Sequence, residues 1–319
     1  MTRGYALDPQ ARSLLERVAR AGVPPFHTLA PEEVRRLFRE SCRALQPAPP
    51  GVSALVGTAF EGPGGRIGAR LYRPMGRGEG EALPVTVFFH GGGWTFGDLD
   101  THDCTCRMLA NFGGFAVASI DYRLAPENRF PAAVDDAFAA VRWILAEGPA
   151  LGLDVRRIAV AGDSAGGNLA AAVALLARDA GIALAMQALF YPVLDLRAST
   201  PSQSEFARGY LLERETIAWT RSNYLAREAD AVDPRASPLL ASDHRGLAPA
   251  YIVAAGFDPL LDEGAAYADR LASAGVSVIY ECFEGMVHGF ITMSGVLAAG
   301  GHALYRVGYG LRQVFQALR

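Results

Sequence analysis

Two kinds of segment alternate along this chain. Short apolar runs rich in Val, Ile, Phe and Ala occupy residues 84–89, 115–120, 157–161, 186–191, 250–255 and 276–283. Between them lie stretches with helical spacing, at 131–147, 167–180 and 263–274. Strand and helix in turn build a largely parallel sheet covered by helices on both faces. A doubly covered sheet has no solvent side, so its strands are nearly continuous apolar runs rather than alternating ones. These runs have that character, and they predict an α/β fold.

The remaining segments depart from this rhythm. Over 13–45 the pattern is helical, with Leu14, Leu15 and Val18, then Val34, Leu37 and Phe38 at three-to-four spacing. A Pro-rich joint at 47–50 ends it. Alternating apolar residues at 55–59 and 67–71 flank the glycines of 62–65, which predicts a hairpin. The interval between Tyr191 and Ala250 is too long for a simple crossover and contains a helical stretch at 213–226. Together with the N-terminal helices it is expected to form a lid over the carboxyl ends of the strands, where open α/β sheets place their sites. The division that follows is N-terminal cap helices at 1–50, a catalytic domain at 51–194 and 227–319, and a cap insertion at 195–226.

Composition bounds the function. The 319 residues are half hydrophobic and carry a net charge of -3, with no basic run, which argues against a nucleic-acid partner. All the basic residues are Arg. Cys42, Cys104, Cys106 and Cys282 are scattered and show no disulfide framework. His102 beside Cys104 and Cys106 suggests a metal cluster, but the spacing matches no common zinc pattern, so neither metal nor cofactor is expected. No basic stretch is followed by an apolar core at the N-terminus, and no apolar run approaches the roughly 20 residues that span a bilayer. A cytoplasmic enzyme without a membrane span is the expectation.

The chemistry centres on Gly162-Asp163-Ser164-Ala165-Gly166, directly after one apolar run and directly before a helical stretch. In that context G-x-S-x-G is a sharp strand-to-helix turn that presents the serine hydroxyl above the sheet. Ser164 is then the candidate nucleophile. A serine needs a base, and in this arrangement the order is nucleophile, acid, histidine. His27, His90 and His102 precede Ser164, and His244 precedes the strand that should deliver the acid. Of the two left, His288 follows the last strand in a glycine-bearing loop, whereas His302 opens the final helix; His288 is preferred. Asp258 sits just past residues 250–255, while its competitors Asp262 and Glu263 resemble the acidic first turn of a helix. His90-Gly91-Gly92-Gly93-Trp94 follows 84–89, where backbone N–H groups for a developing oxyanion belong.

These motifs, with 121–127 (Asp-Tyr-Arg-Leu-Ala-Pro-Glu), Asp258-Pro259-Leu260 and His288-Gly289-Phe290, resemble the hormone-sensitive-lipase-like (bacterial family IV) esterases of the α/β-hydrolase superfamily. The likeness runs from about residue 84 to 290, and Asp163 places it in the branch with Asp before the serine. It implies an eight-stranded, mostly parallel sheet with a helical cap. It further implies a triad of Ser164, Asp258 and His288, an oxyanion hole from Gly92, Gly93 and Ala165, and Gly91 for the bend. His90 would orient that loop, and 121–127 would be structural.

The expected activity is hydrolysis of short- to medium-chain carboxylic esters through an acyl-serine. A lipase or amide hydrolase with the same triad, a non-catalytic small-molecule receptor on the same fold, and a metal-dependent hydrolase are the alternatives. Trp94, Tyr210, Leu211 and Trp219 are candidate pocket residues, with Phe26 and Phe206 as further cap aromatics. The last strand, if it is a sheet edge, offers a site for homodimer pairing.

Overall fold

The computed structural model describes residues 4, 6–78 and 80–318. Its chain begins with α1 (Pro9–Ala21), capped by the Asp8 carboxylate accepting from Gln10 N at 2.7 Å and closed by Gly22 in the left-handed region. A 3-10 turn (Phe26–Thr28) leads to α2 (Pro31–Leu45), which starts on a proline and carries Glu32 and Glu33 in its first turn. The helical pattern expected over 13–45 is therefore two helices. Gly22, Pro24 and Pro25 break it, because neither residue type sustains the helical ladder.

The sheet follows. Strands β1 (Ala54–Gly62) and β2 (Gly65–Arg73) form the expected hairpin. Then come β3 (Leu83–Phe89), α3 (Asp103–Gly113), β4 (Ala116–Asp121), α4 (Ala132–Glu147), β5 (Leu153–Asp163) and α5 (Ala165–Asp179). After β6 (Gln187–Phe190) the chain makes its long excursion, carrying α6 (Pro201–Glu205) and α7 (Arg214–Tyr224). It ends with β7 (Ala250–Phe257), α8 (Leu261–Ser273), β8 (Val278–Val287) and α9 (Ala298–Ala317). The eight strands lie in the order β1-β2-β4-β3-β5-β6-β7-β8. β2 is antiparallel to both its neighbours, and every other pair is parallel. This is an α/β-hydrolase architecture, with β8 at the open edge and Ile279 exposed on it.

The continuous apolar runs now have a physical reason. Val87, Phe89, Ile158, Val160 and Ile252 pack on one face with residues of α4 and α5. Their alternates Phe88, Ala159, Ala161 and Val253 pack on the other with residues of α3 and α9. Successive side chains point to opposite faces, and both faces are core. No helix among the described residues is long and apolar enough to cross a membrane.

One buried carboxylate joins the loop after β4 to this frame. Asp136 on α4 is fully buried and accepts from Arg123 N at 3.0 Å, Nε at 2.8 Å and Nη2 at 2.7 Å. Removing it strands a guanidinium and a backbone N–H. Asp136→Ala is expected to cost about 3 kcal/mol in urea unfolding; a loss below about 1 kcal/mol would contradict this role.

Candidate active site

β5 ends at Asp163, and the next residue turns sharply. Ser164 has φ 56° and ψ -118° before α5 begins at Ala165. A positive φ at a non-glycine residue is strained and persists only where its surroundings hold it. Here Ser164 N donates to Phe190 O at 2.9 Å, while Ser164 O accepts from Asn168 N at 3.0 Å and from Val193 N at 3.2 Å. The backbone passes so close to β3 that a Cβ at Gly166 would overlap the carbonyl oxygen of Phe89. A Cβ at Gly162 would overlap that of Gly166. The helix thus starts two residues earlier than its apolar pattern suggests, immediately behind the serine.

His288 follows β8 and Asp258 follows β7. His288 Nδ1 lies 2.7 Å from Asp258 Oδ2, and His288 Nε2 lies 2.9 Å from Ser164 Oγ. Asp258 is fully buried, and its other oxygen accepts from Leu260 N at 2.8 Å. A buried carboxylate on Nδ1 assigns the ring proton there, which leaves Nε2 free to accept from the serine hydroxyl. The competing residues are engaged elsewhere. Asp262 accepts from Ser202 N, and His302 is exposed on α9.

Across from the serine runs the glycine loop after β3. Gly91 N is not directed at the site, because it donates to Asp163 Oδ1 at 2.9 Å. Gly92 and Gly93 have φ of 120° and 56°, and a Cβ on either would overlap Phe96 O or Thr220 respectively. Among the described residues the N–H groups of Gly92, Gly93 and Ala165 have no acceptor. His90 is buried, stacked on Tyr122 at 4.3 Å, and bonded through Nδ1 to Gly91 O at 2.8 Å. Burial, aided by nearby His102, pushes its imidazole down to about 4, so it stays neutral.

Sequence reasoning missed what holds this loop from below. His102 does not join the cysteines; its Nε2 lies 3.1 Å from Asp163 Oδ1 and its Nδ1 lies 2.9 Å from Thr101 Oγ1. Burial opposes the charge on Asp163, but His102, His90 and Gly91 N outweigh it and hold the carboxyl below its usual range. The Asp before the serine was visible in the sequence, but its partner was not. Burial pushes the Cys42 thiol up to about 12 and the Cys104 thiol up to about 11, which keeps both protonated. Tyr191, whose ring centre is 4.7 Å from that of His288, was also unmarked.

The expected pocket residues divide. Trp94, which has a positive φ of 55°, is 2% exposed and stacks on Tyr224 at 4.1 Å. Tyr210 packs on Phe257 at 5.3 Å and on buried Phe206 at 5.5 Å, and Leu211 is partly buried against the cluster holding Tyr191 and Phe290. Trp219 is half-buried on α7, and its neighbour Thr220 lies against Gly93. Phe26 packs edge-on against Phe96.

Glu263 anchors the start of the excursion. Although it sits in the first turn of α8, it is fully buried. It accepts from Leu194 N at 2.8 Å, Asp195 N at 3.0 Å and Gln203 Nε2 at 2.8 Å. Burial pushes its carboxyl up to about 8 despite these donors.

A serine with positive φ thus sits at the end of a parallel strand, within hydrogen-bond distance of a histidine–aspartate pair. A family profile described as alpha/beta hydrolase fold matches residues 86–292. The chain is 44% identical over 314 residues to the carboxylic ester hydrolase LipN of Mycobacterium tuberculosis, covering 94% of this chain and 82% of that protein. It is 40% identical over 317 residues to an ethyl acetate hydrolase of Pseudomonas putida, covering 97% and 99%. Among solved structures, a hyperthermophilic esterase from Pyrobaculum calidifontis superimposes with a TM-score of 0.92 at 39% identity, covering 98% and 100%. The chain belongs to the α/β-hydrolase fold family and, within it, to the carboxylic ester hydrolases.

Glu263 also makes the fold pH-sensitive. The folded state keeps this proton up to about 8, whereas an unfolded glutamate releases it near 4.5. Between those values the folded state binds more protons, so its contribution to stability falls as pH rises and levels off above the folded value. Urea unfolding of the wild type and Glu263→Gln at pH 5 and pH 8 tests this. The wild type is expected to lose ground to the variant at pH 8; a pH-independent difference would contradict it.

Proposed function

We propose that the chain hydrolyses carboxylic esters of short to medium acyl length, with Ser164 as nucleophile, His288 as general base and acid, and Asp258 as its orienting carboxylate. The observation that carries this reading is the unbroken line from Ser164 Oγ to His288 at 2.9 Å and on to Asp258 at 2.7 Å. Ser164 attacks the ester carbonyl as His288 Nε2 takes the hydroxyl proton, and the Asp258 carboxylate stabilises the imidazolium that forms. The tetrahedral oxyanion is received by the N–H groups of Gly92, Gly93 and Ala165, with Gly91 supplying the bend and its own N–H committed to Asp163. His288 then gives the proton to the leaving alcohol. Water, deprotonated by the same nitrogen, releases the acid from the acyl-serine.

Asp163 before Ser164 supports membership of the Asp-preceded branch of the hormone-sensitive-lipase-like esterases. The short-chain preference draws support from the kinship with the ethyl acetate hydrolase. α1 and α2 together with the 195–226 insertion act as a cap. Tyr210, Leu211 and Trp219 line its acyl side, and Trp94 backs the loop from the core.

Ser164→Ala is expected to lower kcat by at least roughly a thousandfold with the fold intact. Full turnover in that variant would overturn the assignment. Across acyl chains from acetyl to palmitoyl, kcat/KM should be highest at the short end; a maximum at palmitoyl would make the enzyme a lipase. A histidine base must be neutral, so kcat/KM should fall on the acid side. A flat profile from pH 5 to pH 8 would count against it.

A further inference from the structure

One face of α2 grips the segment that leaves the glycine loop. Arg35, Phe38 and Arg39 stand three and four residues apart, so they project from the same side of the helix. Phe38 packs on Phe96 at 4.9 Å, and Arg39 pairs with Asp98. Arg35 does more. Its Nε donates to Thr95 O at 2.9 Å, its Nη2 to Ala125 O at 3.0 Å and Glu127 Oε2 at 2.7 Å, and its Nη1 to Glu127 Oε1 at 2.8 Å. The fork of one guanidinium therefore joins α2, the exit of the glycine loop and the loop after β4. Side-chain hydrogen bonding to Arg35 holds the Glu127 carboxyl below its usual range.

The link from Arg35 to the oxyanion donors is short. Thr95 N donates to Gly92 O at 3.0 Å, and Thr95 Oγ1 donates to Gly93 O at 3.0 Å. Ala125 N donates to Trp94 O at 2.8 Å. Every peptide from Gly92 to Thr95 is thus referenced, directly or through one bond, to the positions Arg35 holds. Asp163 fixes the entry of the loop through Gly91 N, and Arg35 fixes its exit. The N–H groups of Gly92 and Gly93 lie between these two clamps.

We propose that Arg35 is a positioning residue for ester hydrolysis: docking of α2 through its guanidinium sets the aim of the Gly92 and Gly93 N–H groups at the oxyanion. This rests on the hydrolase reading of the site. Arg35 touches neither the substrate nor the triad, so its removal should weaken transition-state stabilisation and leave ground-state binding largely alone. Lysine cannot replace it, because a single ammonium cannot span two carbonyls and a carboxylate in one plane.

The test compares the wild type, Arg35→Ala, Arg35→Lys and Glu127→Gln on a short-chain ester and on the matching thionoester. Sulfur is a weaker hydrogen-bond acceptor than oxygen, so the ester-over-thionoester preference reports how well the donors fit the oxyanion. Arg35→Ala is expected to lose about 30- to 100-fold in kcat with KM changed by less than about threefold, and to lose most of its preference for the oxygen ester. Guanidinium ion at millimolar concentration should restore part of the kcat, and methylammonium should not. Arg35→Lys should resemble Arg35→Ala, and Glu127→Gln should lie between them and the wild type. Thermal unfolding of each variant is followed in parallel, and if Arg35→Ala does not fold, Arg35→Lys and Glu127→Gln carry the same comparison. Wild-type ester turnover with Arg35 variants of unchanged kcat, or a loss equal for ester and thionoester, overturns the clamp alone. Absence of ester turnover by the wild type overturns the reading of the site, and the clamp with it.

Discussion

Everything at this site depends on a turn that an ordinary chain would refuse. Ser164 adopts a positive φ between β5 and α5, at a cost of about 1–3 kcal/mol. The strain persists because the turn is wedged against β3, and that closeness is possible only where Gly162 and Gly166 carry no side chain. The same approach brings the Asp163 carboxylate to Gly91 N, so the strained turn and the glycine loop are assembled as one unit. Loosening the turn would move Ser164 and the Gly92, Gly93 and Ala165 N–H groups together.

The strands supply the rest by position rather than by contact. β3, β5, β7 and β8 are parallel, so their carboxyl ends open at one rim of the sheet. That rim receives the glycine loop, Ser164, Asp258 and His288 from segments far apart in sequence. A rigid, doubly packed sheet can hold side chains from four strands at hydrogen-bond distances, and loops alone hold them less well. The helices outside the sheet have a different task. α2 and α7 lie against the glycine loop, through Arg35 and Phe38 on one side and Thr220 on the other. The sheet thus sets the proposed triad, and the covering helices hold the glycine loop proposed to face the oxyanion.

Much of this was legible in the sequence because it is local. Apolar runs named every parallel strand, and a glycine-flanked serine between a run and a helix named the turn. Chain order set aside four of the six histidines, and the loop after the last strand favoured His288 over His302, while Asp262 and Glu263, as the acidic first turn of a helix, yielded to Asp258. What could not be read was contact across distance. His102 looked like a neighbour of Cys104 and Cys106, yet it serves Asp163 from the position just before α3. Glu263 looked like part of the acidic first turn of a helix, which it is, yet it is also buried and holds Leu194 and Asp195. Trp94 looked like a pocket wall beside the loop, but it is buried and stacked on Tyr224. In each case tertiary packing, which residue type and spacing do not encode, decided where the side chain went.

In the proposed mechanism Ser164 Oγ takes the acyl group. Treating the protein with a fluorophosphonate and locating the adduct by peptide mass spectrometry tests this. One adduct per chain is expected, on Ser164, abolished in Ser164→Ala and slowed in His288→Ala. No adduct on the wild type, or an adduct on another residue that tracks the loss of esterase activity, would contradict it.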